Sequence, residues 1–212
     1  MSDVLTLQNV VAAVLFAGIL LYAVFGGADY GGGFWDLFAG GAERGRRPRA
    51  LIDRAIGPVW EANHVWLIFV LVVTWTAFSI AFFAIMTTLF VPLALAGLGI
   101  VLRGSGFAFR RVVVRTPEQR ATGAAFALSS VITPFFFGTI AGGIASGRVP
   151  AAGDGDAMTS WVNPTSILGG ALAVFVCAYV AAMFLIAEAR MRHVDDLEAY
   201  FRRRAFVAAF VT

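Results

Sequence analysis

The chain contains no lysine, a single cysteine and two histidines, and charged side chains make up only 14% of its 212 residues. A soluble domain carries about 25% charged residues. Here 59% of the residues are hydrophobic and the mean hydropathy is +0.82, which places the chain in a membrane. One cysteine, Cys177, excludes an internal disulfide and an iron–sulfur centre, and is expected to be a small buried thiol. Of the histidines, His193 belongs to a charged segment, so only His64 offers an imidazole near the membrane. Multi-haem electron transfer would need several opposed axial ligands, and no His/carboxylate set has metal-ligand spacing. The N-terminus lacks a basic leader, carries Asp3 ahead of its apolar run and is followed by no cleavage signal, so it is not read as a secretory signal.

What is present is a series of long apolar runs. Uncharged stretches extend over 4–28, 62–102, 121–147 and 157–187, with Asp29, Arg103, Arg120, Arg148 and Glu188 at their limits. Each spanning helix needs about 20 apolar residues. The second run is twice that length and is punctuated at Phe78-Ser79, so it reads as a tight hairpin of two neighbouring antiparallel helices. The expectation is an all-α integral membrane protein with five complete spans, near 5–38, 55–77, 80–103, 119–146 and 164–189. A sixth starts at Ala205 and has only eight residues before Thr212, a rise of ~12 Å, so the chain reads as a fragment ending inside a membrane helix. The expected division is a four-helix bundle over 1–146, an external loop over 147–163, and the fifth helix, a cytoplasmic linker and the start of the sixth helix over 164–212.

All 16 basic residues are arginine, which fits the codon bias of a GC-rich bacterium. Fifteen of them fall into three groups, at 44–54, 103–120 and 190–204, against Arg148 alone on the other side. Positive charge accumulates on cytoplasmic loops, so the three groups face the cytoplasm and the N-terminus lies outside. The net charge of +3 is then a topology signal and calls for no nucleic-acid partner.

Within this apolar background a few polar residues stand out. Glu61 lies in Gly57-Pro58-Val59-Trp60-Glu61-Ala62-Asn63-His64-Val65-Trp66-Leu67, in the first turns of the second span. Pro58 fits the first turn of a helix, where its missing N–H does no harm. Relative to Trp60, His64 falls at ~40° and Glu61 at ~100° around the helix, so the three share a face. An ionisable group in hydrocarbon costs roughly 2.5–3.5 kcal/mol and so lines a path or finds a partner, unless it sits at a helix end and reaches the headgroups. Asp29 is embedded in Gly26-Gly27-Ala28-Asp29-Tyr30-Gly31-Gly32-Gly33, with the same two readings. A phosphate loop is not favoured there, because the glycines follow an apolar span and no Lys-Ser/Thr follows; close helix approach is. Phe34 and Trp35 suit a belt at the membrane surface. Arg103 either anchors a helix end or reaches Glu61 or Asp29, if the first three spans cluster. Pro92 and Pro134 read as kinks. The Gly153-Asp154-Gly155-Asp156 run lacks the remaining ligands of a calcium loop.

Three blocks, Tyr22-Ala23-Val24-x-x-Gly27-x-Asp29-x-Gly31-x-Gly33, Gly57-Pro58-x-Trp60-Glu61-x-Asn63-x-x-Trp66-Leu67 and Leu102-Arg103-x-x-x-Phe107-x-Phe109-Arg110, resemble subunit II of the cytochrome bd-type quinol oxidases in order and spacing. Tyr200-Phe201-Arg202-Arg203-Arg204-Ala205 is similar to the family's linker before its sixth helix. The resemblance implies a multi-pass protein of the bacterial inner membrane. It implies a haem-free subunit packed on a subunit I that carries two b haems, one d haem and the quinol site. The complex would oxidise quinol from the membrane pool and reduce dioxygen to water. Some members hold a structural quinone in subunit II. The acid of the Trp-acid-x-Asn block, here Glu61, is implied on the proton-uptake route, with Asp29 and His64 as further candidates and Trp60, Asn63, Trp66 and Arg103 supporting it. Certain members carry a second carboxylate where this chain has Gly26.

Residue geometry agrees with that placement. Glu61 is seven residues past Arg54, ~10 Å along a helix that starts at the cytoplasmic side, where it is well placed to take up protons. Two other classes stay open from the residues alone. One is half of a secondary transporter that uses Glu61 and Asp29 as proton-coupling carboxylates. The other is a purely structural membrane subunit.

Overall fold

The computed structural model describes residues 6–110 and 116–212, and every regular element in them is helical. Helix α1 runs Leu7–Leu37, α2 Ala42–Ala77, α3 Ser79–Thr88, α4 Phe90–Arg110, α5 Thr116–Ala145, α6 Pro164–Met191 and α7 Asp195–Val211. Arg111 and Arg115 of the second basic group, and Asp3 near the N-terminus, lie outside the described residues.

Among the described residues four helices are long and apolar enough to cross a membrane: α1, most of α2, the Gly123–Ala145 part of α5, and α6. The α3–α4 pair makes a fifth if it is counted as one span, but the two halves are bent by 87°. One straight helix over 80–103 is therefore not what forms. Proline explains the break: Pro92 cannot donate to the carbonyl of Thr88, where α3 ends, and its ring would collide with that carbonyl. Pro92 instead lies in the first turn of α4, where no intrahelical donor is needed. The expected tight hairpin also changes. Helix α2 meets α3 beyond the non-helical Phe78, whereas α4 packs along α5. Pro134 leaves α5 a continuous helix.

Two other boundaries move. Helix α2 begins at Ala42, so the first basic group is helical and Pro58 sits inside the helix instead of in its first turn. Helix α7 begins ten residues before Ala205, and Arg202 to Arg204 lie within it. Asp195, Asp196 and Glu198 occupy its first turn, where carboxylates complement the positive end of the helix dipole. At α6 the sequence cue is clean: Asn163 accepts from the Ser166 amide at 3.0 Å and Pro164 opens the helix.

Helix α1 is central and packs on α2, α5 and α6. Its glycine segment remains helical and is buried from Gly26 to Gly33. A methyl group on Gly31 would collide with the Cys177 carbonyl of α6, so only glycine permits that approach. Trp35 is 7% exposed and donates its indole N–H to the Ala178 carbonyl at 2.7 Å. It is a core residue of the α1–α6 contact and not a surface-belt residue, because its indole donor has a carbonyl to satisfy it inside the bundle. Cys177 is half-buried. Ile52 and Ile56 of α2, Leu185 of α6 and Phe201 of α7 complete an apolar cluster around Trp35. The outer face of α2, by contrast, exposes Val65, Ile68, Leu71, Val72 and Trp75.

Candidate functional site

The glycine segment and the helix approaches it allows create a polar centre inside the bundle. Asp29 on α1 is 0% exposed and Arg103 on α4 is 1% exposed. Arg103 donates Nη2–H to Asp29 Oδ1 at 2.6 Å and Nε–H to Asp29 Oδ2 at 3.1 Å. Nη2 also donates to the Asp29 backbone carbonyl at 2.5 Å, and Nη1 donates to Ser130 Oγ on α5. Ser130 in turn donates to the Phe126 carbonyl at 2.6 Å. The guanidinium carbon lies 4.3 Å from the Phe126 ring centroid and 5.2 Å from that of Tyr30. A two-point guanidinium–carboxylate contact satisfies both charges with fixed geometry, and the two rings attract the cation's remaining surface. Helix α4 itself packs on α5, and the length of the arginine side chain carries the contact across to α1.

Asn63 of α2 joins this centre. It is 1% exposed and donates Nδ2–H to Asp29 Oδ2 at 3.4 Å, while its Oδ1 has no hydrogen-bond partner among the described residues. A methyl group on Gly26 would lie 3.2 Å from that Oδ1. Gly26 therefore borders Asn63, and a side chain there would meet this unpaired acceptor. Tyr22 and Tyr30 form a hydroxyl–hydroxyl contact of 3.4 Å above the centre on α1.

Glu61 is elsewhere. It faces outward on α2, exposed, on the same stripe as Val65 and Ile68, and makes no hydrogen bond or ion pair among the described residues. His64 is turned back on its own helix: its Nδ1 lies 2.8 Å from the Trp60 carbonyl and its ring centroid is 4.7 Å from the Trp60 ring. Trp66 contacts Phe69, 5.7 Å between centroids, away from both carboxylates. The structure thus separates the expected set. Asp29, Arg103 and Asn63 converge inside the bundle; Glu61 lies on the outside, while Trp60 packs against the apolar core and His64 against Trp60.

Ser130, Phe126 and Tyr30 were not singled out from the sequence. The Ser129-Ser130 pair with Thr133, all buried in an apolar helix, is the signal that points to them, since small hydroxyl residues on one face of a membrane helix mark helix contacts. An apolar cavity of about 610 Å³ lies between α1, α2, α3 and α5, lined among others by Phe16, Tyr22, Phe78, Phe82 and Phe137. Among the described residues no group of three or more His, Cys, Asp or Glu side chains is arranged to hold a metal ion.

Comparison with known proteins agrees with the sequence blocks. The chain is 27% identical over 208 residues to the cytochrome bd ubiquinol oxidase subunit 2 of Bacillus subtilis (strain 168), covering 97% of this chain and 58% of that protein. It is 28% identical over 209 residues to the cytochrome bd-I ubiquinol oxidase subunit 2 of Escherichia coli (strain K12), covering 93% of this chain and 52% of that protein. The chain spans about half the length of the curated relatives it matches. The family model for cytochrome bd terminal oxidase subunit II matches residues 7–212. Together with the membrane-length apolar helices, this match shows that the protein is a multi-span membrane protein belonging to the cytochrome bd terminal oxidase subunit II family.

Proposed function

We propose that the chain serves as the subunit II part of a membrane oxidase that couples quinol oxidation to reduction of dioxygen to water, and that Glu61 passes protons from the cytoplasmic side toward a haem-bearing subunit I. The haems b and d belong to that partner, and quinol comes from the membrane pool. The relatives' names, each a ubiquinol oxidase subunit, support the activity. The exposed position of Glu61 supports its role: a carboxylate amid Val65 and Ile68 would face lipid at a cost of roughly 2.5–3.5 kcal/mol unless a partner or a hydrated path meets it. Asp29 is engaged by Arg103 at both oxygens, which leaves Glu61 the carboxylate free to exchange a proton. The unshared Nε2 side of His64, its Nδ1 being at the Trp60 carbonyl, is a second group for the same route.

Should a structural quinone be held here, the 610 Å³ cavity fits its isoprenoid tail, with Phe16, Phe82 and Phe137 as the walls. Its hydroxyl neighbours are already used: Tyr22 contacts Tyr30, and Thr74 donates to the Val70 carbonyl at 2.6 Å. A purely structural role is favoured for one part of the site, the Asp29–Arg103 centre, by its closed hydrogen-bonding. Membership of the oxidase family argues against the carrier reading.

The test is Glu61→Gln in the complex assembled with subunit I. The amide keeps size and hydrogen bonding but has no transferable proton. Quinol-driven oxygen consumption is expected to fall roughly tenfold or more, toward the range a positioned proton-transfer group contributes. Haem content and subunit stoichiometry should stay unchanged, and Glu61→Asp should retain more activity than Glu61→Gln. Full turnover of a haem-replete Glu61→Gln complex would remove Glu61 from the route.

A further inference from the structure

Where the end of α1 and the second half of α7 meet the middle of α6 there is a cleft of about 310 Å³, apart from Glu61 and His64. Phe34, Phe38, Phe175 and Val207 form its apolar walls, and Arg203 and Arg204 stand at one side. Arginines elsewhere on α2, α6 and α7 do have carboxylate partners. Arg47 pairs with Asp196, Arg192 with Glu188, and Arg190 and Arg202 share Glu198. Among the described residues Arg203 and Arg204 have no carboxylate partner. Arg204 is held in place by stacking, with its guanidinium carbon 3.4 Å from the Tyr200 ring centroid and 5.7 Å from that of Trp35. Its two terminal nitrogens make only long contacts, 3.5 Å to the Tyr200 carbonyl and 3.4 Å to the Phe38 carbonyl. Its Nε–H is buried and has no acceptor. Arg203 is exposed and the terminal nitrogens of Arg204 are only weakly engaged, so these are the charged donors that a bound anion would meet.

The depth of the site says which anion. Val207 follows Arg203 by four residues and Arg204 by three, so the arginines and the apolar wall share one face of α7. Phe175 sits near the middle of the apolar helix α6, between Pro164 and Met191, so the apolar wall of the cleft reaches the hydrocarbon level. We infer that the cleft binds an anionic diacyl phospholipid, its phosphate on Arg203 and Arg204 and one acyl chain along Phe34, Phe175 and Val207. Basic pockets between membrane helices hold acidic headgroups in this way, and anionic lipid is concentrated where basic loops face. A free phosphate would use the arginines but leave the apolar wall uncovered, and a neutral lipid would leave the two guanidinium groups without a counter-charge.

The experiment uses the intact protein, purified from membranes and placed in nanodiscs of phosphatidylcholine alone or mixed with phosphatidylglycerol. Retained lipid is counted by native mass spectrometry after release into detergent. The parent protein should keep phosphatidylglycerol in preference to phosphatidylcholine, and inorganic phosphate should not displace it. Arg203→Gln with Arg204→Gln should lower retained phosphatidylglycerol roughly tenfold, the equivalent of losing a charge-assisted contact. Arg204→Lys should lose less. Val207→Trp leaves both charges and fills the acyl path, so it should also reduce retention, and it keeps the test open if the arginine variants fail to fold. Equal retention by the parent, the double glutamine variant and Val207→Trp would overturn the proposal. So would displacement by phosphate alone, or a polypeptide segment found in the cleft of the lipid-loaded protein.

Discussion

If the Asp29–Arg103 pair holds α4 to α1, removing one partner must cost far more than removing both. Both side chains are essentially fully buried, and Arg103 spends four hydrogen bonds there, two of them on the carboxylate. Asp29→Asn leaves a guanidinium in the bundle without a counter-charge. Arg103→Met leaves a carboxylate whose remaining contact is the 3.4 Å one from Asn63. Breaking a buried pair in this way costs roughly 3–5 kcal/mol. At ~2–4 °C per kcal/mol for a chain of this size, each single change should lower the apparent melting temperature by roughly 6–20 °C. The combined Asp29→Asn and Arg103→Met variant removes both charges, and Ser130 keeps its bond to the Phe126 carbonyl. Its melting temperature should therefore lie at or above that of either single variant, a non-additivity of about 2 kcal/mol or more. The assay is detergent-solubilised protein followed by fluorescence size-exclusion after heating, at one fixed heating time because unfolding of membrane proteins is commonly irreversible. Single variants that melt within a few degrees of the parent, or a double variant that loses the sum of the two, would refute the reasoning.

Other expectations follow from individual contacts. Gly31→Ala should destabilise by roughly 1–3 kcal/mol in the same assay because its methyl meets the Cys177 carbonyl, whereas Gly97→Ala, with nothing within 4 Å, should be neutral or gain up to about 1 kcal/mol of helix propensity. Trp35→Phe should lose about 1–2 kcal/mol, since the Ala178 carbonyl forfeits its 2.7 Å donor. In the segment between α5 and α6, the backbone amides of Thr159 and Met158 hold the Asp156 carboxyl below its ordinary range. A depressed folded-state value stabilises this turn above the ordinary aspartate range, and that contribution is lost as pH falls through the depressed value; the protection of the Thr159 amide, taken as its exchange rate relative to the unstructured rate at the same pH, should fall only in that acid window.

The membrane class and the glycine contacts were legible because they rest on local chemistry. Long uncharged runs cannot stay in water, and a glycine string inside one has little use except close approach. The break between α3 and α4 was half legible. Pro92 announced a kink, but its size depends on what α4 packs against, and α4 lies on α5 instead of returning along α2. The helical start of α2 and the early start of α7 were missed because charge density was read as loop, while arginine and glutamate are good helix formers wherever water solvates them.

The carboxylates divide the same question more sharply. From sequence, Asp29 and Glu61 are alike: each is a single acid in an apolar run near a basic group, and Arg103 could have served either. The chain by itself determined that such groups exist, how far they stand from the basic groups and that the family blocks surround them. Only the tertiary structure decided that Arg103 closes on Asp29 and that Asn63 turns inward beside it, whereas Glu61 is left on the outer face. The reason is rotational. Spacing along the chain follows from counting residues, but which way a helix face points is set by the packing of α1 against α2, α5 and α6, and that packing is a property of all four helices together.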